Sequence, residues 1–310
     1  SKRAFPYTRF TPLLSLLTRQ GRYTDASLAR AASTASLEGF NAFVDQVLGT
    51  SHVRGAFFGN YSETDVRGVY ELLSTAVSAS ASARYARSNV YAPKPATTLL
   101  LNREVPVEDL GMLYAFAAPE VKNQALSQIL ARHLRVRAFE TLRTEEQLGY
   151  AAGGGALDLY KHPMVILYIQ TPVKGPQEML DRFTAYTEEY SDELAALPEA
   201  SFEKFKAGVL TALTEPPKNL SAEAGPFVSD WAIEHYDFDT RAKLIAAVSA
   251  ATLQDVQRFY EETVFSEASS RIVIQLRGKR YSERPFATVD GGVVIDDIDK
   301  FHNDMPVQAR

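Results

Sequence analysis

Apolar residues recur along this chain at two spacings, and the switches between them mark out the elements. Near the start, Leu13, Leu14 and Leu17 follow a group of aromatics at helical spacing, which predicts a short amphipathic helix. The runs at 97–102 (TTLLLN) and 109–118 (DLGMLYAFAA) are strand-length and nearly continuous in their apolarity, the pattern of strands buried on both faces. Between 124 and 143 the spacing returns to that of a helix, with Leu126, Ile129, Leu130, Val136 and Phe139 on one stripe. Residues 149–171 then read as a β-hairpin, and 175–197 and 201–213 as two further helices. Pro216 and Pro217 stop that run, and Ser221 is placed to cap the next helix. Strands at both ends of a mainly helical stretch predict an α+β layer, a mixed and mainly antiparallel sheet with helices packed on one face.

The pattern also repeats. Residues 28–45 align without a gap onto 244–261, at a constant offset of 216. Leu28/Leu244, Ala31/Ala247, Ser33/Ser249, Ala35/Ala251, Leu37/Leu253 and Phe43/Phe259 are identical pairs, and Ser36/Thr252, Phe40/Val256 and Asp45/Glu261 keep their chemical type. In each copy a short helix runs into Ser36 or Thr252, whose hydroxyl can cap the helix that follows. That second helix turns Leu37, Phe40 and Phe43, or Leu253, Val256 and Phe259, to one side, and a strand at 52–60 or 270–278 is expected after it. Two related α/β units are therefore expected. The stretch 89–98, with two prolines and no apolar period, reads as the linker between 1–88 and 99–310. Carrying the offset back from Thr97 puts the start of the first unit about 120 residues ahead of Ser1, a usual shortfall against a domain of about 200 residues. Residues 1–88 are thus expected to be the tail of a truncated domain, and 99–310 a complete one with a C-terminal tail.

Composition narrows the chemistry. A net charge of −5 argues against nucleic acid or an anionic membrane as partner, since both select basic surfaces. The longest apolar runs are strand-length, far below the roughly 20 residues that cross a bilayer, so a soluble protein is expected, with cytoplasm favoured over periplasm or mitochondrion. With no cysteine, disulfides, thiolate metal sites and thiol nucleophiles are all excluded. The five histidines are His52, His133, His162, His235 and His302, and no two fall within helical reach of each other. A zinc hydrolase needs at least two imidazoles and a carboxylate converging on the ion, so no metal site and no catalytic residue is assigned to this chain. His133 lies among the apolar positions of its helix and reads as a satisfied core or boundary histidine. There is no G-x-S-x-G elbow, and AAGGGA at 151–156 lacks the Lys-Ser/Thr of a phosphate loop. Its glycines would suit a relaxed strand edge, open to an added peptide strand.

Arg143 and Tyr150 remain. One ends the long helix and the other opens the next strand, so a tight turn through Gln147 to Gly149 would aim both the same way. A guanidinium and a phenol are both donors, and two donors converging on one point suit a peptide carbonyl or the oxyanion that grows on it. The plainer reading leaves Arg143 neutralising the helix C-terminus or pairing with Glu146, with Tyr150 packed at the sheet edge.

At these residues the sequence resembles a known family. LRTEEQLGYAA (142–152) is similar to the signature of the second, non-catalytic half of the M16 or inverzincin metallopeptidases, the pitrilysin and insulin-degrading-enzyme type. The likeness extends to the stretch at 215–244, to RGAFFGNYSETD and to IDDIDKFHNDMPV near the C-terminus, and so to most of the chain. It implies four homologous α/β domains forming two halves around a closed chamber. The first half carries catalytic zinc on an H-x-x-E-H helix, and no such motif occurs here. Carried over, Arg143 and Tyr150 are the substrate-binding pair, and the chain is the end of the third domain plus the whole fourth. The expected partners are the N-terminal catalytic half and peptide substrates; zinc is expected in that other half, and the present chain is expected to be inactive by itself. The alternative is a zinc-less homologue serving as a scaffold or peptide-binding subunit.

Overall fold

A computed structural model describes residues 5–50, 53–77, 90–91, 94–117, 124–159, 162–304 and 307–308. The helices are α1 (Phe10–Thr18), α2 (Asp25–Ser33), α3 (Leu37–Thr50), α4 (Glu63–Ala76), α5 (Gln124–Phe139), α6 (Pro176–Ala195), α7 (Glu199–Thr214), α8 (Leu220–Ala232), α9 (Thr240–Ala250), α10 (Leu253–Val264) and α11 (Ile298–Asp304). The strands are β1 (Val90–Tyr91), β2 (Thr98–Glu104), β3 (Leu110–Ala117), β4 (Ala151–Leu159), β5 (His162–Thr171), β6 (Ser270–Arg277), β7 (Val293–Val294) and β8 (Val307–Gln308). Packing groups them into two compact units, Ser1–Arg22 with Ser88–Thr214 and Leu244–Arg310, and Tyr23–Arg87 with Glu215–Lys243. These groups cut across the division expected near residues 88–98: α1 packs with the later residues and α8 with the earlier ones. Packing groups residues by contact and does not decide which of them share descent.

The larger unit is built on a six-stranded sheet of order β4-β5-β3-β6-β2-β7. The β4–β5, β5–β3 and β3–β6 pairs are antiparallel, and β2 runs parallel to both β6 and β7. This is the α+β, mixed and mainly antiparallel sheet expected. The near-continuous apolar runs in β2, β3, β5 and β6 follow from burial on both faces. On one face Met112, Tyr114, Val165, Leu167 and Val273 meet Ile129, Leu130, Phe183, Val256 and Tyr260 from α5, α6 and α10. The other face is covered too, by Phe10, Leu14 and Leu17 of α1 and by Ile298 of α11, which lie over Leu99, Leu113, Ile166 and Ile274. The N-terminal leucines are thus part of the core of this unit.

The smaller unit holds α2, α3, α4 and α8. Arg54 pairs with Glu234 at 2.8 Å and lies over the ring of Trp231, and Phe58 stacks on Phe227. Two local expectations fail here. Among the described residues, 53–58 form no strand, because a strand is held by its ladder and no described segment pairs with this one. The cap of α8 is Asn219, whose side-chain oxygen accepts from the Ala222 N–H, rather than Ser221. The caps of the repeat are as read: Ser36 Oγ accepts from Gly39 N–H at 3.0 Å, and Thr252 and Asp255 form a reciprocal capping box.

Candidate functional site

The segment joining α5 to β4 is the least regular part of the sheet-bearing unit. The i→i−4 ladder of α5 gives way at Glu140–Glu145 to a π-helical stretch, in which the Glu146 N–H reaches back to the Thr141 carbonyl. Inserted π-turns of this kind widen a helix by one residue and are frequent where a side chain must be re-aimed. Gln147 follows in the left-handed region (φ 54°), and the chain then passes against β5 at Gly149. A Cβ at position 149 would sit 2.0 Å from the Gln170 carbonyl oxygen, so only glycine fits there. The Thr171 hydroxyl donates to the Leu148 carbonyl, and the Leu148 N–H donates to the Leu142 carbonyl. Glu146 is clamped by the Arg182 guanidinium of α6 at 2.5–3.1 Å. It is therefore not the partner of Arg143.

This scaffold brings Arg143 and Tyr150 together. The Arg143 guanidinium carbon lies 4.8 Å from the centre of the Tyr150 ring and 4.6 Å from that of Phe139, one helical step back. Among the described residues neither Arg143 nor Tyr150 makes a hydrogen bond or an ion pair. Tyr150 is 79% exposed and Phe139 41%, so the three side chains form a cation–aromatic stack on the surface with its donors unspent. Phe139 and Val136, expected on one stripe with Leu126, Ile129 and Leu130, lie outside the core, Val136 being 45% exposed. The buried face is instead Leu126, Ile129, Leu130, His133, Leu134 and Ala138. The five apolar positions had merged two faces of one helix, and the signal that separates them is Arg143 itself, four residues beyond Phe139 and on its side of the helix.

His133 is a core histidine. Its Nδ1 lies 2.8 Å from the Tyr190 hydroxyl, Phe205 meets its ring edge-on, and burial pushes its pKa down to about 4, helped by the neighbouring Arg137 cation. Burial likewise raises the Tyr190 and Tyr260 phenols well above their ordinary range. The glycine run at 153–155 is buried, so this part of β4 does not offer open backbone to an added strand.

The described residues do contain one cluster with metal-ligand chemistry, His235, Asp237 and Asp239, whose donor atoms all fall within 4.8 Å of one another. It does not fit the zinc centre of a peptidase. It has one imidazole where two are needed, and His235 Nε2 is bonded to Asp239 at 2.6 Å while the Lys243 ammonium takes the other carboxylate oxygen at 3.0 Å.

The sheet order and the helical layers define an α+β lobe with the irregular α5–β4 corner at one end of its sheet. Residues 129–228 match the sequence profile of the PQQ synthase PqqF-like C-terminal lobe, domain 4. The A-factor-processing enzyme of Saccharomyces cerevisiae is 27% identical over 187 residues, 58% of this chain and 18% of its own length. The insulin-degrading enzyme of Homo sapiens is 23% identical over 283 residues, 86% of this chain and 27% of its own. The crystal structure of pitrilysin superposes with a TM-score of 0.88 at 19% identity, covering 99% of this chain and 33% of that one. In sequence and fold the chain resembles the C-terminal half of the M16 metallopeptidases, and it spans about a fifth to a quarter of the curated relatives it matches. No helix among the described residues is long and apolar enough to cross a membrane.

Proposed function

We propose that this chain is the substrate-binding, non-catalytic half of a zinc-dependent M16 metalloendopeptidase, closing the chamber over peptides and holding the carbonyl of the scissile segment. The observation that carries this reading is the pair Arg143 and Tyr150, set side by side on the surface with their donors unspent. Stacking leaves the N–H groups of a guanidinium and the O–H of a phenol free to donate, and their closeness supports a shared acceptor. Stacking also fixes the Arg143 plane without consuming charge, so little ordering is left for a substrate to impose. In this reading zinc in the other half activates the water, while Arg143 and Tyr150 hold the scissile segment and stabilise charge on its carbonyl. A pure scaffold would have no use for paired carbonyl donors. By itself the chain is expected to cleave nothing.

The same proposal takes residues 1–88 as part of a third domain, 89–98 as linker and 99–310 as the fourth domain. It is supported by the repeat and by a contrast in burial. Leu253, Val256 and Phe259 of α10 are 9%, 1% and 7% exposed against β3 and β5, whereas Leu37, Phe40 and Phe43 of α3 are 76%, 60% and 60% exposed. The α3 stripe has the make-up of a face built to lie on a sheet.

The test is made in the complete protein. Tyr150→Phe and Arg143→Ala should each lower peptide turnover by about 2.7–4 kcal/mol, roughly 100- to 1,000-fold, the usual cost of one carbonyl donor. Zinc content should not change. Turnover at the wild-type rate in both variants would return the pair to a structural role.

A further inference from the structure

The exposed face of α5 does not end at Phe139. Gln128, Arg132, Val136, Phe139 and Arg143 recur at intervals of three or four residues, and Arg135 flanks them, so one stripe runs the length of the helix to the candidate site. At its far end the stripe forms a wall of a groove between α5 and α7, about 670 Å³ in volume. The groove has an apolar lining that includes Val136, Phe205, Val209 and Leu213. Arg132 and Arg135 stand on the same lining, and among the described residues neither has a hydrogen bond or an ion pair.

Arg132 is placed there by a gap in α7. A Cβ on Gly208 would fall 2.5 Å from Arg132 Nε and 2.7 Å from its Cζ, so the guanidinium lies against the α7 backbone where any larger residue would displace it. Its neighbour Arg137 shows the contrast. That side chain points to the other side of the helix and is satisfied by Glu140 and Glu193. In a chain of net charge −5, two arginines without an ion pair among the described residues, set on a largely apolar lining, make a local positive site.

We infer that the α5–α7 groove is a second subsite for the peptide, in which Arg132 and Arg135 take a carboxylate and the apolar floor takes the side chain next to it. This rests on the reading of Arg143 and Tyr150 as peptide-holding residues, toward which the same stripe of α5 runs from the groove through Val136 and Phe139. At 1.5 Å per residue along a helix, the two arginines lie roughly 12–16 Å from Arg143. An extended peptide covers that in about four to five residues. The subsite therefore selects peptides with negative charge at that distance from the held segment. The carboxylate is either an acidic side chain or the peptide's own C-terminus, since both present the same planar pair of oxygens to a guanidinium.

Binding of rhodamine-labelled twelve-residue peptides to the full chain, followed by fluorescence anisotropy, tests this. One series steps a single glutamate through each position of a neutral, C-terminally amidated scaffold; a second peptide keeps the neutral sequence with a free C-terminal carboxylate. A preference of about tenfold over the neutral amide is expected, confined to a narrow window of glutamate positions if a side chain is read, or to the free-acid peptide if the terminus is read. Arg132→Gln/Arg135→Gln should abolish the preference while leaving the neutral peptide bound as before. Gly208→Ala, which improves helix propensity and only moves Arg132, should weaken it in part. Arg143→Ala should weaken every peptide alike. A flat response to charge, or a preference that survives the double substitution, would overturn the subsite and leave the proposed function standing. No binding by any peptide would overturn both.

Discussion

Acid should find a weak point at His133. The imidazole is 4% exposed, held between the Tyr190 hydroxyl at 2.8 Å and the edge of Phe205, with the Arg137 cation nearby. Glu193 lies 3.8 Å from Nε2, close enough to favour the imidazolium, but Arg137 already engages that carboxylate. Burial therefore dominates, and the folded-state pKa falls to about 4 from 6.5. The unfolded chain takes up a proton as pH drops through 6.5, while the folded chain refuses it until about 4. Stability is accordingly complete above pH 6.5 and lost progressively between 6.5 and 4. The loss should reach about 2 kcal/mol at pH 5 and about 3 kcal/mol at the end of the window, from 1.36 kcal/mol per pKa unit. Urea unfolding followed by near-ultraviolet circular dichroism at pH 7, 6, 5 and 4.5 measures it, with His133→Leu as the reference. That variant is less stable at pH 7, because a branched aliphatic side chain fits the flat imidazole slot poorly and leaves the Tyr190 hydroxyl without its partner, but it keeps every carboxylate that titrates in the same range. Its curve should fall less steeply by the amounts given. Parallel curves, together with a His133 ring proton titrating near 6.5 by NMR, would refute the argument.

Two further expectations concern the corner that carries the candidate site. Gly149→Ala places a methyl group 2.0 Å from the Gln170 carbonyl oxygen, a backbone atom that cannot turn aside; it should cost about 1–3 kcal/mol in thermal or urea unfolding and weaken peptide binding by moving Tyr150. Arg182→Met strips Glu146 of its clamp and should destabilise by about 1.5–3 kcal/mol, whereas Glu146→Gln in the same background should add less than it costs alone, as a double-mutant cycle on the two would show.

What could be read from the sequence, and what could not, follows the range of the interactions. Local chemistry was legible: the strand periods of 97–102 and 109–118, the hairpin, and the caps at Ser36 and Thr252 all depend on residues a few positions apart. So was the closeness of Arg143 and Tyr150, because a short turn leaves little freedom. Partners distant in sequence were not. Glu146 is held by Arg182, 36 residues on, and nothing near Glu146 announces it. Asn219 displaced Ser221 as a cap by two residues, within the ordinary slack of helix starts. The N-terminal leucines gave a helix correctly but no hint that it covers the second face of a sheet beginning some 80 residues later.

The contrast between α3 and α10 shows why pattern alone stops there. Eighteen aligned residues keep the same apolar positions and the same hydroxyl cap, and both copies form the same pair of helices. Yet one stripe is closed and the other open, and the strand expected after α3 does not form among the described residues whereas its counterpart, β6, lies mid-sheet. The helices carry their own ladders and caps, so sequence settles them; the strand and the buried stripe are each half of an interaction whose other half lies elsewhere. Helix periodicity thus reports what a face is suited to meet, and burial reports what it has met. At α5 the same distinction separates the core face around Leu130 from the outward line of Arg132, Val136, Phe139 and Arg143, which has met nothing within the described residues that buries it.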